Sequence, residues 1–415
     1  MKIHALQAKK GGFKDTKPEE ILSHVLRASY SKANLDPKLI QDIAVGNVLP
    51  PGGGATIARM AALHAGIPHT AAIQTVNRQC SSGLSAVNII ANMIKVGEID
   101  IGIGMALSAL SFASLKPFKG AGVESMTMGY GAGTLPTGYS DAVLSNQEAE
   151  DCLIPMGITS ENVAAEFNIS RATQDAFAAR SFQKAAKAAK EGRFKDEILA
   201  IKVTIVDPKT EKESQIVVDA DDGIRDGVTA ESLGKLKPAF IKTGSTHAGN
   251  ASQVSDGAAA VLLTRRSFAK KYNLPILGKF VAAAAVGVPP RIMGVGPAYA
   301  IPAVLKQTGL TLDDIDFFEI NEAFASQAVY SIQTLGIPED KVNRHGGAIA
   351  IGHPLGCSEC LDFRPPTLLI IFIPAGARQV ATGYNIAKQY EDKIFVTSMC
   401  IGSGMGMAGV FVNEQ

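Results

Sequence analysis

The sequence predicts a duplicated α/β fold that carries an inserted subdomain. Three observations point to it. Strand-like runs alternate with helical periodicity over residues 42–96, the mark of strands stacked against helices. Val76-Asn77-Arg78 recurs as Val342-Asn343-Arg344, each ahead of a small-residue loop and an Ala-rich segment. Between the two copies, residues 135–251 turn polar and turn-rich, the texture of an insertion.

Each element follows from its own residues. DIAVGNVLP (42–50) reads as a buried strand that stops at Pro50-Pro51. ATIARMAALHAG (55–66) reads as a helix ended by Gly66, and AIQTV (72–76) as a second strand. Beyond Cys80-Ser81-Ser82-Gly83, the residues Leu84, Val87, Ala91 and Ile94 fall at spacings of three and four, on one helix face. Residues 170–192 read as a long charged helix with Ser170 as N-cap and Gly192 as its stop. Val123-Glu-Ser-Met126 returns as Val396-Thr-Ser-Met399, in the same order as the first repeat, which supports a duplicated half. A cleft between two such halves gathers residues from both.

Composition narrows the function. The chain has 415 residues, with 40 Lys and Arg against 39 Asp and Glu, a net charge of +1. Such a chain has no global field to recruit nucleic acid or an anionic membrane. Any acidic ligand must be held by local groups. Five Cys do not make a disulfide framework at this length. The longest apolar run, Leu368 to Ile373, is far below the roughly 20 residues that span a bilayer, and the N-terminus lacks a secretory apolar core. A soluble intracellular protein is expected.

Three segments concentrate chemistry: VNRQCSSGLSA (76–86), GGAIAIGHPLGC (346–357) and SMCIGSGMGMAG (398–409). Cys80 stands where a strand becomes a helix, where free backbone N–H groups and the helix dipole favour a thiolate. A thiolate beside an imidazole is an acyl-accepting nucleophile. Taken singly, each residue also has a plain structural reading. Cys80 and Cys400 fit as small core residues, His353 as part of a rigid Gly-His-Pro turn, and Asn321-Glu322 as a helix cap. Two tempting motifs fail. Cys357-Ser-Glu-Cys360 has no second ligand pair for zinc, and GSGMGMAG (402–409) has no room after it for the helix and strand of a dinucleotide site.

Taken together, the segments resemble the thiolase family, specifically its degradative 3-ketoacyl-CoA branch. The matching stretches include GGFKDT (11–16), PPGGGATIARMAA (50–62), VNRQCSSGL (76–84), AGVESMTMGYG (121–131), MGITSENVA (156–164), AGNASQVSDGAAA (248–260), NEAFASQA (321–328), NRHGGAIAIGHPLGC (343–357) and SMCIGSGMG (398–406). The resemblance implies two βαβαβαββ halves in a five-layered αβαβα fold. It places the first half at 1–134 plus 252–283, a CoA-binding loop subdomain at 135–251 and the second half at 284–415.

The resemblance also implies the chemistry. Cys80 is the nucleophile, His353 takes its proton and Cys400 is the general acid–base. One oxyanion site would use His353 with a water held by Asn321. The other would use the backbone N–H groups of Cys80 and Gly402. CoA is the co-substrate and would lie along Met156, Arg225, Ser232 and Ser252, with no bound cofactor or metal. For Arg225 a surface ion pair is the plain alternative. Pro155 and His247 depart from common family residues. A homodimer is implied, without nucleic-acid or membrane partners. Peroxisomal residence is implied by resemblance alone, since no targeting segment is read in this chain. The alternatives are the biosynthetic acetoacetyl-CoA reaction, a ketoacyl synthase of related fold, and an impaired CoA-binding protein.

Two segments have no family counterpart, 105–120 and 359–375. The first, after residue 104, falls inside what should be a buried central strand, and the second at the N-terminus of a helix beside His353. A T-rich tract would encode Leu-Leu-Ile-Ile-Phe-Ile, and deletion restores the family pattern on both sides. Both are read as translated intron sequence.

Overall fold

The computed structural model describes residues 2–7, 11–48, 51–108, 139–195, 198–207, 209–253, 255–353 and 378–415. The first half runs β1 (Lys2–Gln7), α1 (Pro18–Ser31), β2 (Asp42–Gly46), α2 (Ala55–His64), β3 (Ala72–Val76), α3 (Ser82–Val96) and β4 (Ile101–Ser108). The middle supplies α4 (Asp141–Leu144), α5 (Gln147–Asp151), α6 (Met156–Glu166), α7 (Arg171–Lys190), the hairpin β5 (Ile201–Val206) and β6 (Glu213–Val218), and α8 (Ala230–Gly234). Then β7 (Ser255–Thr264) returns to the first half and α9 (Arg266–Lys271) leads out of it. The second half is β8 (Gly278–Gly287), α10 (Gly296–Thr308), β9 (Phe317–Ile320), α11 (Ala325–Leu335), α12 (Ala348–Ile351), α13 (Arg378–Tyr390), β10 (Ile394–Ile401) and β11 (Met405–Asn413).

Two sheets share one plan. The first has the order β1-β7-β4-β2-β3 and the second β8-β11-β10-β9. In each, the first two pairings are antiparallel and the next is parallel. The fifth place of the second sheet is marked by a parallel bridge from Phe318 to Val342, where the first sheet pairs Gly46 with Val76. The Val-Asn-Arg repeat therefore stands at the same point of both halves. It is a duplication.

The layers follow from which faces are apolar. On the first sheet, α1 buries Ile21, Leu22, Val25 and Leu26. On the far side of the second sheet, α10 buries Ile301, Val304 and Leu305. Between the sheets lie α3, with Leu84 and Val87 fully buried, and α13, with Val380 and Tyr384 buried. Each such side chain contributes about 1.5–3 kcal/mol. Across β9, β10 and β11, Phe317, Phe395 and Phe411 form one row, with neighbouring rings 5.2 Å apart and near-parallel. That row is in register, since Phe395 pairs with both others.

Residues 139–251 add no strand to either main sheet among the described residues. Their long helix, α7, ends as expected. Ser170 accepts from Thr173 N–H, and Gly192 takes a positive φ of 68°. The expected boundary at 283/284 falls inside β8, and the change of sheet lies between β7 and β8.

One expectation is corrected. The 105–120 segment does not interrupt the central strand at its start: β4 continues through Ser108, with Met105 paired to Val45 on one side and Ala260 on the other. A ladder with partners on both sides keeps these backbone groups satisfied. The remainder of that segment, 109–120, the repeat at 123–126 and the whole of 359–375 lie outside the described residues.

Candidate active site

Cys80 is presented by a tight turn. After β3, Asn77 Oδ1 accepts from Gln79 N–H at 2.9 Å, while Ser82 Oγ accepts from Arg78 N–H and donates to Gln79 O. Gln79 adopts a positive φ of 45°, and the chain passes through a 3-10 turn (Gln79–Ser81) into α3. The helix sits close on the sheet because Gly104 faces it: a Cβ there would lie 2.8 Å from Val87 Cα. This packing leaves Cys80 only 2% exposed.

Cys400 comes from the other half, fully buried in β10. The next turn reverses into β11 through Ser403 and Gly404, both at positive φ. Gly402 N–H reaches the Cys80 sulfur. A Cβ on Gly402 would collide with the side-chain amide of Gln79, which donates to Ser403 Oγ at 3.1 Å. Gly402 thus leaves room for the Gln79 amide where the two loops meet.

Electrostatics correct the sequence reading of Cys80. Burial pushes its thiol up to about 11, and the Gly402 N–H opposes this only in part. Desolvation outweighs the field of the helix start, so the resting group is a thiol. Burial also raises Cys400, and a thiolate on neighbouring Cys80 raises it further.

His353 and Asn321 form a neighbouring wall. Asn321 follows β9 and donates its N–H to Ser398 O at 2.8 Å. Its Nδ2 lies 3.4 Å from His353 Nε2. His353 N–H donates to Gln253 O at 2.9 Å. Burial, then the buried Arg378 guanidinium, lower the imidazole to about 4, so it is neutral at pH 7. The reading of Asn321-Glu322 as a helix cap is corrected, because α11 begins at Ala325 with Phe324 at its cap. Glu322 is instead buried, accepting from Ser181 Oγ, Asn343 Nδ2 and Ile349 N–H. It ties the second Val-Asn-Arg loop to α7 and α12.

The other expected residues divide into two groups. Met156, at the start of α6, packs in one apolar cluster with Cys400, Met293, Ala323 and Phe324. Ser252 N–H donates to Ala323 O at 3.0 Å, which brings it to the same wall. Arg225 and Ser232 are exposed, and Ser232 completes a capping box with Thr229 at the start of α8. Met293, Phe324, Gln79 and Gln253 were not singled out by the sequence. Gln253 lies in the AGNASQ motif and Phe324 in NEAF, but no periodicity distinguishes Met293 or Gln79. Two thiols thus face each other across the halves, one on a helix start and one on a strand. An imidazole–amide pair stands on a neighbouring wall.

The chain has counterparts of known kind. The thiolase N-terminal domain model matches residues 2–267, and the thiolase C-terminal domain model matches 274–364, ending inside the 359–375 segment. The peroxisomal 3-ketoacyl-CoA thiolase of Yarrowia lipolytica is 55% identical over 405 residues, 98% of this chain and 89% of that protein. The dimeric peroxisomal thiolase of Saccharomyces cerevisiae superposes with a TM-score of 0.85 at 49% identity, covering 100% of this chain and 95% of that one. A second structure of the yeast enzyme, described as five-layered and built from two core domains of identical topology, gives 0.74 at 43% identity, covering 100% and 96%. With both domain models and close relatives along its length, this chain belongs to the thiolase family.

Proposed function

We propose that this chain is a degradative 3-ketoacyl-CoA thiolase, cleaving 3-ketoacyl-CoA with CoA to acetyl-CoA and a shortened acyl-CoA. The observation that carries the reading is the pairing of Cys80 with Cys400 across the two halves, with Asn321 beside His353. Cys80 Sγ attacks the 3-keto carbon as its proton passes to His353. The bond between C2 and C3 breaks, leaving an acyl thioester on Cys80 and an acetyl-CoA enolate. Cys400 protonates the enolate carbon. The resulting Cys400 thiolate then takes the proton of an incoming CoA thiol, whose sulfur attacks the thioester. Cys80 leaves as a thiolate and regains its proton from His353.

Resting-state neutrality fits this order. A thiol near 11 and an imidazole near 4 are both neutral at rest, so proton transfer accompanies attack rather than preceding it. Developing oxyanions are met by the N–H groups of Cys80 and Gly402 at one site, and by His353 with an Asn321-held water at the other. Met156 and Ser252 line the pantetheine and acyl path, and Arg225 and Ser232 serve the nucleotide end. The relatives' names support peroxisomal residence, and the yeast structure supports a homodimer.

The test is thiolysis by the purified chain on acetoacetyl-CoA and on longer 3-ketoacyl-CoA. Turnover of the longer substrates, at least as fast as of acetoacetyl-CoA, is expected. Turnover confined to acetoacetyl-CoA, or CoA binding without turnover, overturns the assignment.

A further inference from the structure

Between α8 and β7 the chain forms a loop, 245–253, that touches both walls of the site. Asn250 O accepts from Ala325 N–H at 2.8 Å, Ser252 N–H donates to Ala323 O, and Ala251 bridges Phe324 in antiparallel fashion. Two residues on, Gln253 O holds the His353 N–H. The position of this loop therefore sets the positions of the Asn321–Phe324 segment and of His353.

One buried imidazole pins the loop from behind. His247 is 1% exposed. Its Nε2 lies 2.7 Å from Asp175 Oδ1 on α7, and its Nδ1 accepts from Gly249 N–H at 3.0 Å. A backbone N–H can only donate, so Nδ1 must be bare and Nε2 must carry the proton. Asp175 is itself 3% exposed. Its Oδ1 also accepts from Asn250 Nδ2, and its Oδ2 accepts from Arg171 Nε. The Glu161 carboxylate accepts from the N–H groups of Ser245 and Thr246 at the start of the loop. Space is tight, since a Cβ on Gly249 would overlap Leu233 and Leu236.

We propose that His247 is a pH-gated positioning residue. As the neutral Nε2–H tautomer it locks the 245–253 loop, and with it Ser252 and the Asn321–Phe324 wall, in the form that binds the pantetheine arm of CoA. This rests on the thiolase reading above. Protonating Nδ1 sets one N–H against the Gly249 N–H, and the loop must move to separate them. The charged groups facing the ring are Asp175 and Arg171 from α7 and Glu161 from α6. Burial lowers the imidazole below its ordinary value, and Asp175 opposes this. The lock is thus closed at neutral pH and opens on acidification.

The experiment measures KM for CoA and kcat from pH 5 to 8 in the full chain and in two variants. His247→Leu removes both hydrogen bonds. It is expected to raise KM for CoA about tenfold at pH 7.5, equivalent to one shared loop contact of about 1.4 kcal/mol, and to lower kcat as well, because Asn321 and His353 move with the loop. His247→Asn offers a carbonyl to Gly249 N–H without a titrating group. Its KM for CoA is expected to stay flat with pH, whereas that of the unsubstituted chain rises below pH 6. If His247→Leu does not fold, the His247→Asn profile alone decides. An unchanged KM in His247→Leu, or a His247→Asn profile that tracks the unsubstituted chain, overturns the proposal. Absence of thiolysis in the unsubstituted chain would instead overturn the function on which it rests.

Discussion

Replacing Gly402 by Ala probes the point where the two halves meet. The added Cβ has no space, because the Gln79 side-chain amide already occupies it. Either Gln79 gives way, breaking its bond to Ser403, or the 402–403 turn retreats and its N–H leaves Cys80. Retreat removes one oxyanion donor, which costs roughly 3–4 kcal/mol of transition-state stabilisation, or about 10²–10³ in kcat. If Gln79 swings aside instead, the fold loses little, since only the end of a flexible side chain must move. The assay is kcat for thiolysis, with urea unfolding to follow stability. Gln79→Ala in the same chain clears the collision and should restore part of kcat. If Gly402→Ala folds and keeps kcat within threefold, Gln79 has given way and the turn has not retreated, and the reasoning that the collision moves the N–H is wrong.

Two further outcomes follow from the titrating groups. Because burial holds the Cys80 thiol near 11, the rate of iodoacetamide inactivation should climb with pH through 9 without levelling; a plateau between pH 6 and 7 would mean a resting thiolate–imidazolium pair. His345 is 2% exposed, packs edge-on to Phe194, and finds no hydrogen-bond partner for either ring nitrogen among the described residues. Burial and Arg193 hold it near 4 in the folded chain, while it titrates near 6.5 when unfolded. The unfolded state therefore binds the extra proton between these values, and stability is lost as pH falls through that window. His345→Phe should gain on the unsubstituted chain by about 2 kcal/mol between pH 7 and pH 5 in urea unfolding. Parallel pH curves for the two would contradict the assignment.

Much of the fold was legible because each half repeats simple periods. The strand at 72–76, the helix from Ser170 to Gly192 and the Val-Asn-Arg repeat each follow from local residues, and each stands where expected. Local signals also drew attention to Cys80, Asn321, His353 and Cys400, but only the resemblance joined them into one site. Burial was not legible. The helix start beside Cys80 argued for a thiolate, and only the packed surroundings reverse that. Glu322 looked like a cap because the donors to its carboxylate, on Ser181, Asn343 and Ile349, lie far away in sequence. The interruption of β4 was expected for a related reason. A family pattern suggested a break at 104, while the partners that continue the ladder, Val45 and Ala260, come from strands distant in sequence.

The central claim is that Cys80 carries the acyl group. The direct measurement is mass spectrometry of peptides from enzyme treated with 3-ketoacyl-CoA and denatured without added CoA. An acyl thioester on the peptide holding Cys80, released when CoA is added before denaturation and missing in Cys80→Ala, is predicted. A stable acyl group on Cys400, or the same label in Cys80→Ala, would contradict the account.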